Sequence, residues 1–372
     1  MKHADIIVIG GGATGAACAL GLVREKAGTV LMLDKTFGIY RPSRANFGLT
    51  GYLLKGLNDA VYAKWAFKAI QEWAEFGPQL EQDSGISLDF ALNGVGEPFL
   101  CEEEKAVRVQ QTQQLKEMAE VNGYKYNCEI LDRHEFSQLI PKMELGEKVI
   151  GGMFSSDNGH VNPLFMLRAM RKTYINEGGV FIAGESVMEI IPGQSHTIIK
   201  TNIESYVCSK VVVAAGHGST RLLNHLRVKL PLFPLRGQLM VTNRQPPMLP
   251  IPLFLVRQTG EGTFMIGVSI EQAGHDIGTT VEAMNSQAKK AIELFPIIAE
   301  FNWVRSWGAI RVITQDDSPV YDTIPGHDNI FVLVGHSAVS LASLHSSIIP
   351  KWIISGRKPK EIENLGLRRF HV

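Results

Sequence analysis

The sequence predicts an α/β protein in two domains, one built on a parallel sheet flanked by helices and the other mostly antiparallel β. Three observations carry this. Residues 4–34 run apolar strand, glycine turn, small-residue helix and second strand, the order of a βαβ unit. Two later stretches, 210–219 and 330–340, again drive an unbroken apolar run into a glycine and then a helical segment. Between them, residues 227–313 change character. Pro231, Pro234, Pro246, Pro247, Pro250 and Pro252 punctuate short β runs at 237–242, 253–257, 263–268 and 304–312, with one helical stretch at 281–295.

In the opening unit Gly10, Gly12 and Gly15 have the spacing G-x-G-x-x-G directly after the run 6–9. Gly10 permits the tight strand-to-helix turn, Gly12 lets the backbone approach a pyrophosphate, and Gly15 lets the helix lie close to the strand. The first helical N–H groups and the positive end of the helix dipole face the same phosphates. Asp34 closes the second strand, placed to accept hydrogen bonds from ribose hydroxyls. The glycine spacing alone is a weak signal, because glycine-rich turns are common. With both strands and an acid roughly 20 residues on, it reads as a dinucleotide site of the Rossmann type.

Composition bounds the rest. A chain of 372 residues with 45% hydrophobic content can fill two cores, at roughly 150 residues per domain. The 37 basic side chains balance the 37 acidic ones, which gives no electrostatic case for nucleic acid or an anionic surface. Cys18, Cys101, Cys128 and Cys208 lie far apart without a C-x-x-C pair, so no metal site or iron–sulfur cluster is expected in this chain. The first strand starts without a leader pattern, and no apolar run reaches the roughly 18 residues of a membrane span. A cytoplasmic protein is expected.

After Asp34, residues 38–49 are rich in arginine, glycine and small polar groups. They read either as a loop returning to the dinucleotide and feeding a helix, with Ser43, Arg44 and Asn46 as donors, or as a solvated connector. Residues 58–81 have helical periodicity with Trp65 and Trp73 on the core face. Residues 101–122 read as a polar surface helix whose Glu102, Glu103 and Glu104 suit the dipole at its start. The loop 155–163 enters a helix over 164–176 through Asn162-Pro163, with Asn162 as cap, and residues 178–182 return to the first sheet. Ala214, Ala215 and Gly216 are small enough for their turn to sit beside the first glycine loop, and His217 reads as solvated structure rather than acid or base.

Three arginines stand in the second domain: Arg236, Arg257 and Arg311. Arg311 is centred in an apolar strand, where a cation is either ion-paired within the protein or a bidentate anchor for a substrate carboxylate. Residues 317–322 and 326–329 have turn composition. A helix is expected from Ser337 to about Ile354, its N-terminus aimed at something negative. A flavin ring that carries negative charge when reduced suits that dipole. A nicotinamide enzyme would share the first motif but would not explain this C-terminal device.

Taken in order, the N-terminal fingerprint, residues 211–219, the segment 307–320 with Arg311, and Gly335-His336 ahead of the last helix resemble the FAD-dependent amine and D-amino-acid oxidoreductases. That family includes glycine oxidase, sarcosine oxidase and D-amino-acid dehydrogenase. Arg44-Ala45-Asn46-Phe47-Gly48, Asp157-Asn158-Gly159-His160-Val161-Asn162-Pro163, Arg236-Gly237-Gln238 and residues 337–345 resemble one subgroup more closely. It comprises the β subunits of heteromeric D-hydroxyproline dehydrogenases, opine oxidases and hydrogen cyanide synthase.

The resemblance implies an FAD-binding domain of the Rossmann type from residues 1–85, 146–225 and 318–372, and a substrate or interface domain from 86–145 and 226–317. It implies FAD held by Gly10, Gly12, Ala13, Thr14, Gly15, Asp34, Lys35, Ser43, Arg44, Asn46, Phe47, Gly48, Leu49, Val187 and Gly216. The ring would lie against Gly335, His336, Ser337, Ala338, Val339, Ser340, Leu341 and Ala342, and Arg311 would hold the substrate carboxylate. FAD is expected to be non-covalent, because no cysteine lies in the Arg311 or His336 segments. The implied reaction oxidises the C–N bond of a small amino or imino acid by hydride transfer from Cα to flavin N5. The implied partners are a second flavoprotein subunit and a small iron–sulfur subunit, which could hold the chain at the inner membrane. Alternatives are an opine (octopine or nopaline) oxidase subunit, a stand-alone glycine or sarcosine-type oxidase, and an electron-relay flavoprotein subunit. Glycine oxidases carry a second arginine two residues after the helix histidine and a glycine two further on; here Ala338 and Ser340 stand there, which argues against glycine as substrate.

Overall fold

The computed structural model describes residues 2–36 and 42–370. Its first half runs β1 (Lys2–Ile9), α1 (Ala13–Arg24), β2 (Val30–Asp34), β3 (Leu49–Thr50), α2 (Ala60–Ser84), β4 (Val95–Phe99), α3 (Glu102–Val121), β5 (Glu129–Asp132), α4 (Arg133–Gln138), β6 (Gly151–Ser155), β7 (Gly159–His160) and α5 (Pro163–Asn176). Then come β8 (Val180–Ala183), β9 (Val187–Pro192), β10 (Thr197–Thr201), β11 (Ser205–Val213), α6 (Gly218–Asn224), β12 (Leu232–Arg244), β13 (Val256–Gln258) and β14 (Thr263–Gly267). The chain closes with α7 (Val281–Leu294), β15 (Trp303–Thr314), β16 (Val320–Ile324), β17 (His327–Val334), α8 (Ala342–Ser347) and α9 (Ile349–Ser355).

The large sheet has the order β16-β17-β11-β1-β2-β8, with β9 and β10 beside β11. Its central pairings, β17 with β11, β11 with β1, β1 with β2 and β2 with β8, are parallel. Its strands lack polar alternation because both faces are covered. Ile6 and Val8 point into one apolar cluster with α1, α2 and α5, while Ile7 and Ile9 point into another with Val211 and Val213. Trp65 and Trp73 of α2 are core residues, 1% and 0% exposed. Asn162 caps α5 by accepting from the N–H groups of Leu164 and Phe165, 3.1 and 3.3 Å. Glu102, Glu103 and Glu104 occupy the first turn of α3.

The second sheet, β13-β14-β12-β15, is antiparallel. One face carries Met240, Val256, Phe264 and Ile266 against Ala291 and Leu294 of α7. The other presents Leu239, Met265 and Trp307 to Phe47 and Leu49. β12 starts well before residue 237 and includes Pro234, which pairs with Val312. Proline is tolerated there because β14 joins β12 only from Leu239 onward, leaving the other edge of β12 open at that point.

Three expectations need correction. Residues 37–41 lie outside the described residues, but from Pro42 the chain makes turns and then pairs as β3 with β7, so no helix starts before Ala60. The turn at 317–322 ends at Pro319, and Val320–Asp322 already pair within β16 and β17. The C-terminal helix is two short ones: Pro350 lacks the N–H that would bond to Ser346, and the helix breaks at Ile348. β6 pairs with both β4 and β5 in a separate three-stranded sheet. Among the described residues no helix is long and apolar enough to cross a membrane.

Candidate active site

The site is built at the C-terminal ends of the parallel strands. Gly10 has φ +109, and a Cβ there would lie 2.4 Å from the Ala214 carbonyl oxygen. The end of β11 therefore sits against the first turn, as the small residues 214–216 suggest. A Cβ on Gly15 would lie 1.8 Å from the Gly10 carbonyl oxygen, so only glycine lets α1 seat on its own turn. α1 begins after Gly12 with no side-chain cap and no acid in its first turn. Ser43 Oγ accepts from Ala13 N at 2.9 Å, which holds the 42–49 loop across the helix start.

Asp34 is buried; its Oδ2 accepts from Gly11 N at 2.5 Å and its Oδ1 from Thr36 N at 2.9 Å. Lys35 beside it is exposed. The Asp34 carbonyl accepts from Glu185 N at 3.0 Å, which brings buried Val187 to the same end of the sheet. Arg171 donates to the Gly11 carbonyl and stacks over Phe181, 4.9 Å from the ring centroid. In the loop, Asn46 Oδ1 accepts from Gly48 N at 2.7 Å, and Trp307 Nε1 donates to Ala45 O at 3.3 Å. Phe47 and Gly48 are buried, while Arg44, Asn46 and Leu49 are half-buried.

A second cluster gathers at the turn where β17 ends. Gly335 has φ +157, and a Cβ there would lie 2.6 Å from Pro319 Cα. His336 next to it is solvent-exposed, yet its pKa is pushed down to about 3, first by burial and then by the charges of Arg311 and Lys55. Ser337 takes φ +63; its Oγ accepts from Tyr62 Oη at 2.9 Å and lies 3.2 Å from His336 Nδ1. Ser340 is a junction. Its Oγ accepts from Lys55 Nζ at 2.6 Å and Gly51 N at 3.2 Å, and its carbonyl accepts from Trp73 Nε1 at 2.8 Å. Ala338 is half-buried, and Val339, Leu341 and Ala342 are packed in the core.

The three arginines separate cleanly. Arg236 is consumed by ion pairs with Glu271 and Asp276. Arg257 is 1% exposed, its Nε and Nη1 have no hydrogen-bond partner among the described residues, and burial pushes its pKa down to about 10. Arg311 is half-buried and donates from Nη2 to Ser269 O at 2.9 Å. Among the described residues it forms no ion pair; burial depresses its pKa and Asp317 partly offsets this. His217 is not solvated structure: its Nε2 lies 2.8 Å from Arg311 O, and burial lowers its pKa. Gly216 is close by; a Cβ there would meet Val312 Cγ2 at 3.3 Å.

Lys55 and Tyr62 escape the motif reading. Neither belongs to a recognisable motif, and only the fold shows that both reach the turn after β17. The open N-terminus of α1, the acid at the end of β2 and the glycine turn after β17 match the parts of a dinucleotide site, so the residues present fit FAD. Residues 5–348 match the family described as DAO, FAD dependent oxidoreductase. The chain belongs to this family.

An opine oxidase subunit from Agrobacterium tumefaciens (strain Ach5) is 32% identical over 373 residues, covering 100% of this chain and 99% of that protein. The opine oxidase subunit of the same name from Rhizobium meliloti is 32% identical over 372 residues, covering 100% and 98%. Glycine oxidase from Bacillus subtilis (strain 168) is 24% identical over 378 residues, covering 100% and 97%. Among solved structures, glycine oxidase from Geobacillus kaustophilus superposes with a TM-score of 0.89 at 19% identity, over 99% of each chain. L-proline dehydrogenase from P. horikoshii gives 0.85 at 18% identity, over 100% of this chain and 98% of that one. These structures share the fold. The protein is an FAD-dependent oxidoreductase with the α/β architecture of this family, and FAD is its cofactor.

Proposed function

We propose that this oxidoreductase oxidises the C–N bond of a small amino or imino acid, as the β subunit of a heteromeric dehydrogenase. The observation that carries the reading is Arg311: a half-buried guanidinium whose charge acts on His336, free of internal ion pairs among the described residues and bonded there only to Ser269 O. A substrate carboxylate supplies the partner that the protein withholds.

FAD would be held without a covalent link by Gly10, Gly12, Ala13, Thr14 and Gly15 at the pyrophosphate and by Asp34 and Lys35 at the ribose. Val187 would lie on the adenine side, and Ser43, Arg44, Asn46, Phe47, Gly48, Leu49, Gly216 and residues 335–342 nearer the ring. When bound, FAD accepts a hydride from the substrate Cα. Arg311 fixes the carboxylate and, through it, the direction of the Cα–H bond. Neutral His336 and the Tyr62–Ser337 pair stand at the turn after β17 without adding charge. The division into an FAD-binding part (1–85, 146–225, 318–372) and a substrate or interface part (86–145, 226–317) belongs to the same proposal.

The relatives named as subunits favour an assembly, with a second flavoprotein and a small iron–sulfur subunit as partners. D-hydroxyproline is the first substrate to consider. The opine reading stands beside it, because two relatives of that name align along the whole chain. Anaerobic bleaching of the bound FAD by D-hydroxyproline, D-proline, L-proline, sarcosine, glycine, octopine and nopaline decides between them. Bleaching by the cyclic imino acids supports the first, bleaching by octopine or nopaline alone the second. Bleaching by none would overturn the amino-acid reading and leave an electron-relay subunit.

A further inference from the structure

Lys55 has no assigned task, and its setting is unusual. A turn with Leu54 at φ 59 and Gly56 at φ 69 aims it inward, braced by Lys55 N on Tyr52 O (3.0 Å) and Leu54 N on Tyr126 Oη (3.0 Å). Its Nζ donates to Ser340 Oγ at 2.6 Å. That hydroxyl also accepts from Gly51 N and faces Leu49 O at 3.5 Å, so it orients the lysine without neutralising it. Lysines normally extend their charge to water or to a carboxylate; this one is pushed down to about 7 by burial alone.

The titratable groups around it leave few other bases. Asp59 caps α2 at Val61 N and Tyr62 N through one oxygen and accepts from Ser318 Oγ at 2.6 Å through the other. Asp317 interacts with Arg311. Arg311 cannot give up its proton, Tyr62 and Tyr126 are shifted upward by burial, and His336 is shifted so far down that it is a poor proton acceptor.

We propose that Lys55 is the catalytic base that takes the proton of the substrate ammonium group, an assignment that rests on the amino-acid reading above. The ammonium N–H bond breaks, its electron pair stays on nitrogen, and the proton joins the lone pair of neutral Lys55 Nζ. The freed lone pair forms the C=N bond as Cα–H leaves with its bonding pair to FAD, the two-electron oxidant.

The test combines a pH profile with a direct titration. In the FAD-loaded wild type, substrate reduction of the flavin should rise with pH through a limb near the Lys55 value. In Lys55→Met it should fall on the order of 100-fold at neutral pH and recover near pH ~10, where the amine has already lost its proton. Lys55→Arg keeps the charge and a donor to Ser340, and should behave like Lys55→Met. Trace acetylation of the wild type, read by mass spectrometry against pH, should show Lys55 becoming reactive near neutrality, before surface lysines. The assignment is overturned by a uniform loss at all pH values, by rescue in Lys55→Arg, or by a wild-type limb at the substrate amine's own pKa. A Lys55 that resists the reagent, or titrates with the surface lysines, overturns it too. If no amine bleaches the wild type at any pH, the amino-acid reading itself has failed, which is a separate outcome.

Discussion

Replacing Arg311 with lysine keeps a positive charge on β15 but removes the planar fork. In the wild type one N–H is bonded to Ser269 O, and the guanidinium forms no ion pair among the described residues. A carboxylate seated there gains charge-assisted bonds, and removing one partner of such a pair costs about 2–5 kcal/mol. At 1.4 kcal/mol per decade this is roughly 30-fold to several thousand-fold in the substrate concentration that half-saturates flavin reduction. Arg311→Lys should fall at the lower end and Arg311→Met at the upper end. The assay is anaerobic stopped-flow bleaching of bound FAD, with FAD content read from absorbance after denaturation. FAD content should stay at the wild-type level in both variants, because the loops around Gly10 and Gly335 do not depend on the guanidinium. Wild-type affinity and rate in Arg311→Met would refute the anchor. Arg236, locked to Glu271 and Asp276, could not take over the role. An unfolded or flavin-free Arg311→Met would make the arginine a structural residue.

Gly15→Ala forces a methyl onto the Gly10 carbonyl, 1.8 Å away, and should cost about 3 kcal/mol or more; thermal unfolding and FAD content should both drop, and a wild-type Tm with full FAD would contradict the packing. His345 is 2% exposed, with Nε2 2.9 Å from Tyr321 Oη, Nδ1 without a partner among the described residues, and its pKa pushed down to about 3 by burial. The unfolded chain therefore binds this proton first, and stability falls as pH drops from about 6.5 towards 3. Urea titrations at pH 7.5 and 5 should show the wild type losing about 2 kcal/mol more than His345→Gln, at about 1.4 kcal/mol per unit; equal losses would remove His345 as the cause. If electrons leave to a partner subunit, air should reoxidise the substrate-reduced flavin slowly compared with an artificial dye; equal turnover with both, with stoichiometric peroxide, would make the chain a stand-alone oxidase.

Local chemistry was readable wherever a short stretch decides its own geometry. Gly10 and Gly15 announce the turn because no other residue fits it. Ile6 to Ile9 announce a strand covered on both faces because no polar residue interrupts them. Asn162-Pro163 specifies a helix start with its cap. What the sequence hid depends on residues far apart. Arg236 and Arg311 look alike along the chain; they differ because Glu271 and Asp276, 35 and 40 residues away, come to Arg236 and not to Arg311. Lys55 gains its character from Ser340, 285 residues away. His217 seemed free because its partner, the backbone of Arg311, belongs to another sheet. The break at Ile348 was different: Pro350 signalled it, and the apolar continuity across it concealed the signal.

That break also fixes a dimension of the site. The Ser346 carbonyl, released from its helical bond, lies against Gly21 of α1, where a Cβ would stand only 2.1 Å from it. α1 and α8 therefore touch main chain to main chain. Gly21 lies eight residues beyond Ala13, about 12 Å along the helix, and on the far side α8 continues directly from the turn after β17. The span from the phosphate-facing amides to the ring-facing turn is thus gauged by peptide geometry. Side chains elsewhere can be exchanged without changing that length, whereas a single methyl at Gly21 would alter it.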